Sequence, residues 1–267
     1  MIKVIVAGAA GRMGGRIIKA VLDSPNLELA GAFERPGHPQ IGRDAGQAAG
    51  VEETGITLRG SLAEVIEAGE VLIDFTTKEA TLKNIETASA KGLAMVVGTT
   101  GFTPEEKERI KELTKGLRLV MSPNMSVGVN LLFKVVGDVA RILGPGYDLE
   151  IIESHHRLKR DAPSGTAVRL AEVLAEATGR KIGQVAVYGR QGLVGERTDE
   201  EIAVLAVRAG DIVGEHTVLF GGIGERLEIT HRAHSRDTFA RGAVRAAAWV
   251  VGQPPGLYDM QDVLGLR

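Results

Sequence analysis

The chain opens with an apolar hexapeptide, Ile2-Lys3-Val4-Ile5-Val6-Ala7, that runs straight into Gly8-Ala9-Ala10-Gly11-Arg12-Met13-Gly14. An apolar run of this length suits a strand buried on both faces of a parallel sheet. Beyond Gly14, Ile17, Ile18, Val21 and Leu22 recur at helical spacing until Pro25 stops the pattern. Strand, glycine-rich turn and helix together open a doubly wound α/β domain. The glycines stand at Gly8, Gly11 and Gly14, a G-x-x-G-x-x-G variant of the dinucleotide fingerprint. Gly8 permits the tight turn, Gly11 lets a pyrophosphate approach the backbone, and Gly14 lets the helix pack close to the strand. The helix N-terminus adds amide donors and partial positive charge for phosphates.

A glycine triplet alone is weak, and its context strengthens it. A second strand, Leu27 to Phe33, ends at Glu34, 20 residues beyond Gly14, where an acidic residue takes the adenosine ribose. Arg35 follows at once. A carboxylate favours the free 2′-hydroxyl of NAD, and a guanidinium favours the 2′-phosphate of NADP. Having both argues for use of NADH and NADPH alike.

The α/β rhythm continues. Ser61-x-x-Glu64 reads as a capping box before a short helix. Val71 to Phe75 reads as a strand, with Thr76-Thr77 leading into a helix to about residue 90. Leu93 to Val97 is the next strand and ends in Gly98-Thr99-Thr100-Gly101. Thr103-Pro104-Glu105-Glu106 starts a capped helix. Leu117 to Met121 is a further strand, ending in Ser122-Pro123-Asn124-Met125. Ligands of open parallel sheets sit beyond the carboxyl ends of strands. These three polar ends are therefore candidates to line a nicotinamide and its ribose through backbone groups, although each alone is also ordinary turn chemistry. Residues 36–55, rich in glycine and polar groups, read as a surface loop.

The second half has a different rhythm. Val127 to Leu143 is a strongly apolar helix closed by Gly144-Pro145-Gly146. Leu149 to Ser154 is a strand, and residues 161–166 open a helix that Gly179 ends. Strands follow at Val185 to Tyr188, Ile202 to Arg208, His216 to Phe220 and Leu227 to His231. Asp237 to Val251 reads as a final helix returning to the first domain. The expected fold class is α/β: an N-terminal Rossmann-type parallel sheet domain at 1–126, completed by 236–267, plus an α+β domain with a mixed sheet at 127–235. One helix pair cannot cover both faces of that second sheet, so a homo-oligomer is expected.

The densest chemistry lies in Glu153-Ser154-His155-His156-Arg157-Leu158-Lys159-Arg160-Asp161-Ala162-Pro163-Ser164-Gly165-Thr166. The Gly165 and Thr166 amides at a helix start form a carboxylate site, and the Thr166 hydroxyl adds a donor. Lys159, with Arg157 and Arg160, supplies positive charge. Imidazoles titrate near neutrality, and adjacent cations push that value down, so His155 and His156 are candidate proton donors. Structural strand-end histidines are the plainer alternative. A metal site is not expected, because adjacent histidines on a strand point to opposite sides.

Composition closes off other classes. The net charge of −2 offers no basic stripe for nucleic acid. No apolar run approaches a membrane span, and the N-terminus begins as a strand rather than a signal peptide, so the expectation is a cytoplasmic enzyme without membrane partners. There is no cysteine, hence no disulfide, thiolate metal site or thiol nucleophile.

Several of these segments together resemble the 4-hydroxy-tetrahydrodipicolinate (dihydrodipicolinate) reductase family. They are Gly8 to Gly14, Gly98 to Phe102, Asn124 to Asn130, Glu153 to Thr166, Arg208 to His216 and Gly224 to His231. The His-His-Arg-x-Lys-x-Asp-Ala-Pro-Ser-Gly-Thr segment carries most of the specificity. The resemblance implies NAD(P)H-dependent reduction of a small cyclic dicarboxylate in lysine and diaminopimelate biosynthesis, by a homotetramer. It implies His155 and Lys159 as a proton-donating pair, and His156, Ser164, Gly165, Thr166 and Thr100 as substrate contacts. It implies cofactor contacts at Gly8, Ala9, Ala10, Gly11, Arg12, Met13, Glu34, Arg35, Gly98, Thr99, Thr100, Ser122, Pro123, Asn124 and Met125. Ser122-Pro123 stands where many members carry another small-residue pair, Leu158 where some members have a polar residue, and Arg160 is no fixed feature of the motif. Two other readings stand beside this one. An NAD(H)-sensing module without catalysis leaves the His-His-Lys segment unemployed. An acyl-forming semialdehyde dehydrogenase needs a cysteine nucleophile, which this chain lacks.

Overall fold

The computed structural model describes residues 1–267. In chain order it forms β1 (Ile2–Ala7), α1 (Arg12–Leu22), β2 (Leu27–Phe33), α2 (Ala45–Ala49), β3 (Val71–Asp74), α3 (Lys78–Lys91), β4 (Ala94–Val97), α4 (Pro104–Leu113), β5 (Arg118–Met121) and α5 (Val127–Leu143). There follow β6 (Asp148–His155), α6 (Gly165–Ala177), α7 (Ile182–Val185), β7 (Ala186–Val187), β8 (Ile202–Arg208), β9 (Gly214–Gly222), β10 (Glu225–Ala233), α8 (Asp237–Val250), β11 (Gly256–Tyr258) and α9 (Met260–Leu264). Two compact units result: Met1–Val127 with Arg236–Arg267, and Gly128–Ser235.

The first unit is built on a six-stranded sheet in the order β11-β5-β4-β3-β1-β2, parallel throughout. The winding direction reverses between β1 and β3, which creates a crevice at the carboxyl ends of those strands. Alternate residues feed two separate cores. Val4, Val6, Val71, Ile73, Ala94 and Val96 pack on α1, α8 and α9, whereas Ile5, Ala7, Leu72, Met95 and Val97 pack with Ile85, Ile110 and Leu62. Burial on both faces explains why these strands read as unbroken apolar runs.

Three expectations for this unit are corrected. Ser61-x-x-Glu64 is not a capping box: two short 3₁₀ turns, Leu62–Glu64 and Ile66–Ala68, replace the helix. The Ser61 hydroxyl donates to Glu64 Oε1 at 2.9 Å instead of accepting from the helix backbone. Residues 36–55 are not simply a surface loop. Asp44 caps α2, accepting from Gly46 N at 2.8 Å and Gln47 N at 3.1 Å, and also from Thr54 N at 3.1 Å, and Ala45 is fully buried. Finally, α8 is not the last element. Pro254-Pro255 leads into β11, which adds the sixth strand beside β5, and α9 follows. A three-residue strand is too short to display a periodicity.

The second unit carries a five-stranded sheet in the order β10-β9-β6-β8-β7. Central β6 runs antiparallel to β9 and parallel to β8, so the sheet is mixed. One face, with Leu149, Ile151, Val204, Val218 and Phe220, packs against α5 and α6. On the other face Ile152 and Val207 stay exposed, and Thr217 and Thr230 bond to each other across the strands. The expected strand at 185–188 shrinks to two residues after a single turn of helix.

Candidate active site

Glu153 and His155 stand two residues apart near the end of β6 and therefore leave the same face. Glu153 is completely buried. A buried carboxylate is costly unless paired and hydrogen-bonded, and this one has four donors around it. Arg208, at the end of β8 and in register with His155, grips it with both terminal nitrogens, Nη1 to Oε2 at 2.9 Å and Nη2 to Oε1 at 2.8 Å. The Ser164 amide donates to Oε1 at 3.0 Å. His155 Nδ1 lies 2.5 Å from Oε2. Arg208 Nη2 also reaches the Asp161 carbonyl at 2.6 Å, which ties the loop after β6 to the same cation.

His216 enters from β9, in register with Glu153, and is 3% exposed. Its Nε2 shares a 3.1 Å hydrogen bond with Ser164 Oγ. Its ring meets His155 edge-on, with centroids 5.2 Å apart and planes at 74°. Ser164 is also the N-cap of α6, accepting from Ala167 N at 3.2 Å. Gly214 completes the pocket by having no side chain, because a Cβ there would lie 3.1 Å from His155 Nε2.

The electrostatics follow from these contacts. Burial works to raise the Glu153 carboxyl, but Arg208, His155 and the Ser164 amide outweigh it and hold the group below the ordinary carboxylate range. Burial lowers His155, and Lys159 and Arg208 push the same way, while Glu153 pulls upward; the net direction is down. The sequence points to cations as the cause of that drop, yet burial is the larger one. His216 is pushed down to about 3, mainly by burial and then by His155, and is neutral at physiological pH.

The remaining members of the 153–166 segment sit as follows. His156 comes just after the strand and is partly exposed. Lys159 Nζ pairs with both Asp161 oxygens, at 2.9 and 2.8 Å, and its amide closes a turn onto the His156 carbonyl at 3.0 Å. Gly165 and Thr166 are the first two residues of α6, with Gly165 exposed. Arg157 and Arg160 are exposed. Ser164 is 2% exposed and spends its hydroxyl and amide on internal partners, so its contribution to any ligand is to aim the start of α6.

In the first unit, Gly8 adopts φ +61° and Gly14 lies so close to the turn that a Cβ would sit 2.1 Å from the Gly8 carbonyl oxygen. Glu34 directly follows β2 and accepts from Ala10 N and Arg35 N, both at 3.1 Å, which fastens the strand end to the glycine-rich turn. Gly8, Gly11, Glu34, Arg35, Thr76 and Phe75 border a cavity of about 710 Å³. A smaller one, about 270 Å³, is lined by Arg12, Met13, Phe75, Gly98, Ser122, Pro123, Asn124 and Met125, with Arg236 and Phe239. Phe75 borders both. Its ring lies across Gly98 so tightly that a Cβ there would meet it at 2.2 Å.

Ala9 is fully buried in the core, and its amide donates to the Phe33 carbonyl at 3.3 Å. The Thr99 hydroxyl bonds Thr81 Oγ1 at 2.8 Å. Thr81 in turn donates to the fully buried Asp74, which also accepts from Thr76 N at 2.9 Å, Thr76 Oγ1 at 2.6 Å and Asn84 Nδ2 at 2.8 Å. Ser122 Oγ donates to the Asn124 carbonyl at 2.9 Å. Thr100 is exposed and borders neither cavity. Sequence reasoning assigned no role to Arg208, His216, Asp74, Arg236 or Phe239. Alternation along β6 could have joined Glu153 to His155, but only sheet register brings Arg208 and His216 to them.

The chain matches two family descriptions end to end: "Dihydrodipicolinate reductase, N-terminus" over residues 2–125 and "Dihydrodipicolinate reductase, C-terminus" over residues 128–264. It is 58% identical to the 4-hydroxy-tetrahydrodipicolinate reductase of Citrifermentans bemidjiense and 57% identical to that of Geotalea uraniireducens, over 100% of both chains in each case. Among solved structures, the dipicolinate-bound dihydrodipicolinate reductase of Paenisporosarcina sp. TG-14 superposes with a TM-score of 0.77 over 98% of each chain, at 24% identity. Two matched halves and full-length relatives at this identity place the chain in the dihydrodipicolinate reductase family.

Proposed function

We propose that His155 and Lys159 form the proton-donating pair of an NAD(P)H-dependent reduction of 4-hydroxy-tetrahydrodipicolinate to tetrahydrodipicolinate. The reduction itself comes with the family: the chain is an oxidoreductase of lysine and diaminopimelate biosynthesis that uses a reduced pyridine nucleotide. That nucleotide, when bound, supplies the hydride. The Gly8–Gly14 turn, the Glu34-Arg35 strand end and the Phe75–Gly98 wall fit it, since Gly8 and Gly11 border the larger cavity with no side chain between a pyrophosphate and their backbone, and Gly14 lets the helix pack against the turn.

The observation that carries the assignment is the state of His155. It is held on one side by a buried carboxylate, and its Nε2 has no hydrogen bond within the protein. A ring so held offers one nitrogen to a ligand, and a cationic Lys159 four residues on stabilises negative charge developing there. His156, Gly165 and Thr166, with the helix start aimed by Ser164, are the proposed grip on the substrate carboxylates; Thr100 is a further proposed contact. The open face of the second sheet, with Ile152 and Val207 exposed, supports association of copies, and a homotetramer is the proposed assembly. No helix is long and apolar enough to cross a membrane, and a cytoplasmic setting is proposed for this biosynthetic step.

The test supplies purified protein with the condensation product of pyruvate and aspartate semialdehyde, generated in place by a synthase, and follows NADH and NADPH oxidation. His155→Gln and Lys159→Met are expected to reduce kcat by about 10²–10⁴-fold with nucleotide affinity nearly unchanged. Wild-type turnover in both variants would defeat the assignment. Tight nucleotide binding without any oxidation by the native chain would favour a sensing module.

A further inference from the structure

We propose that Glu153 is a positioning residue which, clamped by Arg208, fixes the tautomer of His155, so that the Nδ1 proton stays on the protein side and Nε2 alone exchanges protons with the ligand. This inference rests on His155 being the proton donor and adds what makes it one.

Geometry carries the argument. The Glu153 carboxylate is wholly buried and receives two parallel hydrogen bonds from Arg208 and one from the Ser164 amide. Arg208 is never deprotonated, and a carboxylate held in this way by charge-assisted bonds stays ionised and fixed in orientation. An ionised carboxylate only accepts, so the atom 2.5 Å away, His155 Nδ1, must be the one that carries a hydrogen. The neutral ring then has its lone pair on Nε2. Register and packing hold the ring in this pose. Arg208 pairs with His155 across β6 and β8, and His216 stands edge-on against the ring from β9. Gly214 leaves Nε2 its space.

The proton balance is simple. Protonated His155 gives the Nε2 proton to the substrate and returns to the neutral Nδ1–H form. Glu153 remains a carboxylate throughout, and Nε2 is recharged from solvent. The charged and titratable groups facing His155 are Glu153 on β6, Lys159 on the following loop, itself paired with Asp161, Arg208 on β8 and His216 on β9. Lys159, Arg208 and burial disfavour the protonated ring, and only Glu153 favours it. Loss of the Glu153 charge therefore moves the ring further toward neutrality.

Two measurements test this on the full chain. In the native protein labelled with ¹⁵N-histidine, the His155 signals are identified by their loss in His155→Gln. The neutral ring is expected as the Nδ1–H tautomer, and a predominant Nε2–H tautomer overturns the proposal without requiring any Glu153 variant to fold. The second is the pH dependence of kcat in Glu153→Gln. The alkaline fall in turnover is expected to move to lower pH by about one unit or more, with turnover on the acid side recovering to within a few-fold of native. Arg208→Lys, which keeps the charge but loses the two-pronged grip, is expected to show an intermediate displacement. A uniform loss at all pH values with an unmoved alkaline limb would mean a merely structural Glu153 and refute the inference. Native turnover in His155→Gln would instead refute the proton-donor reading, while the tautomer measurement still stood on its own.

Discussion

Glu153 and His216 lie opposite one another on β6 and β9, both almost wholly buried, and they answer burial in contrary ways. The carboxylate keeps its charge because Arg208 delivers two hydrogen bonds to it. The imidazole gives its charge up, because its one hydrogen bond is to the Ser164 hydroxyl and its Nδ1 has none. The same sheet thus holds one ionised and one neutral group a register step from the proposed proton donor.

That contrast makes stability depend on pH. A histidine pushed from 6.5 to about 3 in the fold is neutral in both states above 6.5. As pH falls below that, the unfolded chain takes up a proton that the folded chain refuses, so stability is lost across the interval down to about 3. The maximal slope for one such group is about 1.4 kcal/mol per pH unit. Denaturant titrations between pH 7.5 and 5 are expected to show this loss in the native chain and a shallower one in His216→Gln. Equal slopes in the two proteins would contradict the assignment.

The Phe75–Gly98 contact predicts an intolerance of one methyl group. Gly98→Ala puts a Cβ 2.2 Å from the Phe75 ring, and overpacking of this kind costs about 1–3 kcal/mol. It also shifts a ring that borders both cavities. A lower Tm and weaker NADH binding are the expected results. Phe75→Ala in the same chain should relieve most of the Gly98→Ala penalty, with a coupling of at least about 0.5 kcal/mol in a double-mutant cycle. Strict additivity would show that the two positions do not conflict.

Cofactor preference divides between neighbouring residues. Arg35→Ala is expected to reduce kcat/KM for NADPH by about tenfold, the scale of a partly exposed charged hydrogen bond, and to leave NADH within about twofold. Glu34→Ala is expected to do more general damage, since Glu34 also receives the Ala10 amide of the glycine-rich turn. Steady-state rates with both nucleotides check this. An Arg35 variant that weakens both equally would place the guanidinium away from the 2′-position.

Asp74 anchors the ends of β3 and β4 through Thr76, Thr81 and Asn84, and indirectly through Thr99. Asp74→Ala leaves several buried donors without their acceptor and should cost about 2–4 kcal/mol. Asp74→Asn should cost less, because the Asn84 amide can turn to pair with it. Chemical denaturation of the two variants provides the comparison, and a near-neutral Asp74→Ala would show that water replaces the carboxylate.

What could be read in advance followed local periodicity. The buried strands around Val4, Leu72 and Val96 announce themselves as apolar runs because both faces are covered. The Thr103–Glu106 capping box is present as its spacing indicates, whereas Ser61–Glu64 has the same spacing and a different structure; the residues after Ser61 pack into the second core as 3₁₀ turns. His155 and Lys159 belong to one short segment and were visible together. Arg208 and His216 lie 53 and 61 residues beyond His155 by number, and strand order alone brings them to it. Ser164, expected among the substrate contacts, is buried and bonds Glu153, His216 and the Ala167 amide, a set of partners that sequence spacing does not display.

The closing segment of the chain has a consequence during synthesis. Ala240, Ala243, Ala247, Val250, Met260 and Val263 fill one face of the first sheet, and β11 lies against β5. Residues 1–235, which carry every strand of the second unit, leave the ribosome before the material that seals the first. The middle of the chain can therefore mature while the older N-terminal portion still waits with an apolar face uncovered. Nascent chains halted before residue 236 are the ones that chaperones should hold longest, and release of the last 32 residues, 236–267, is the event that lets the N-terminal unit close.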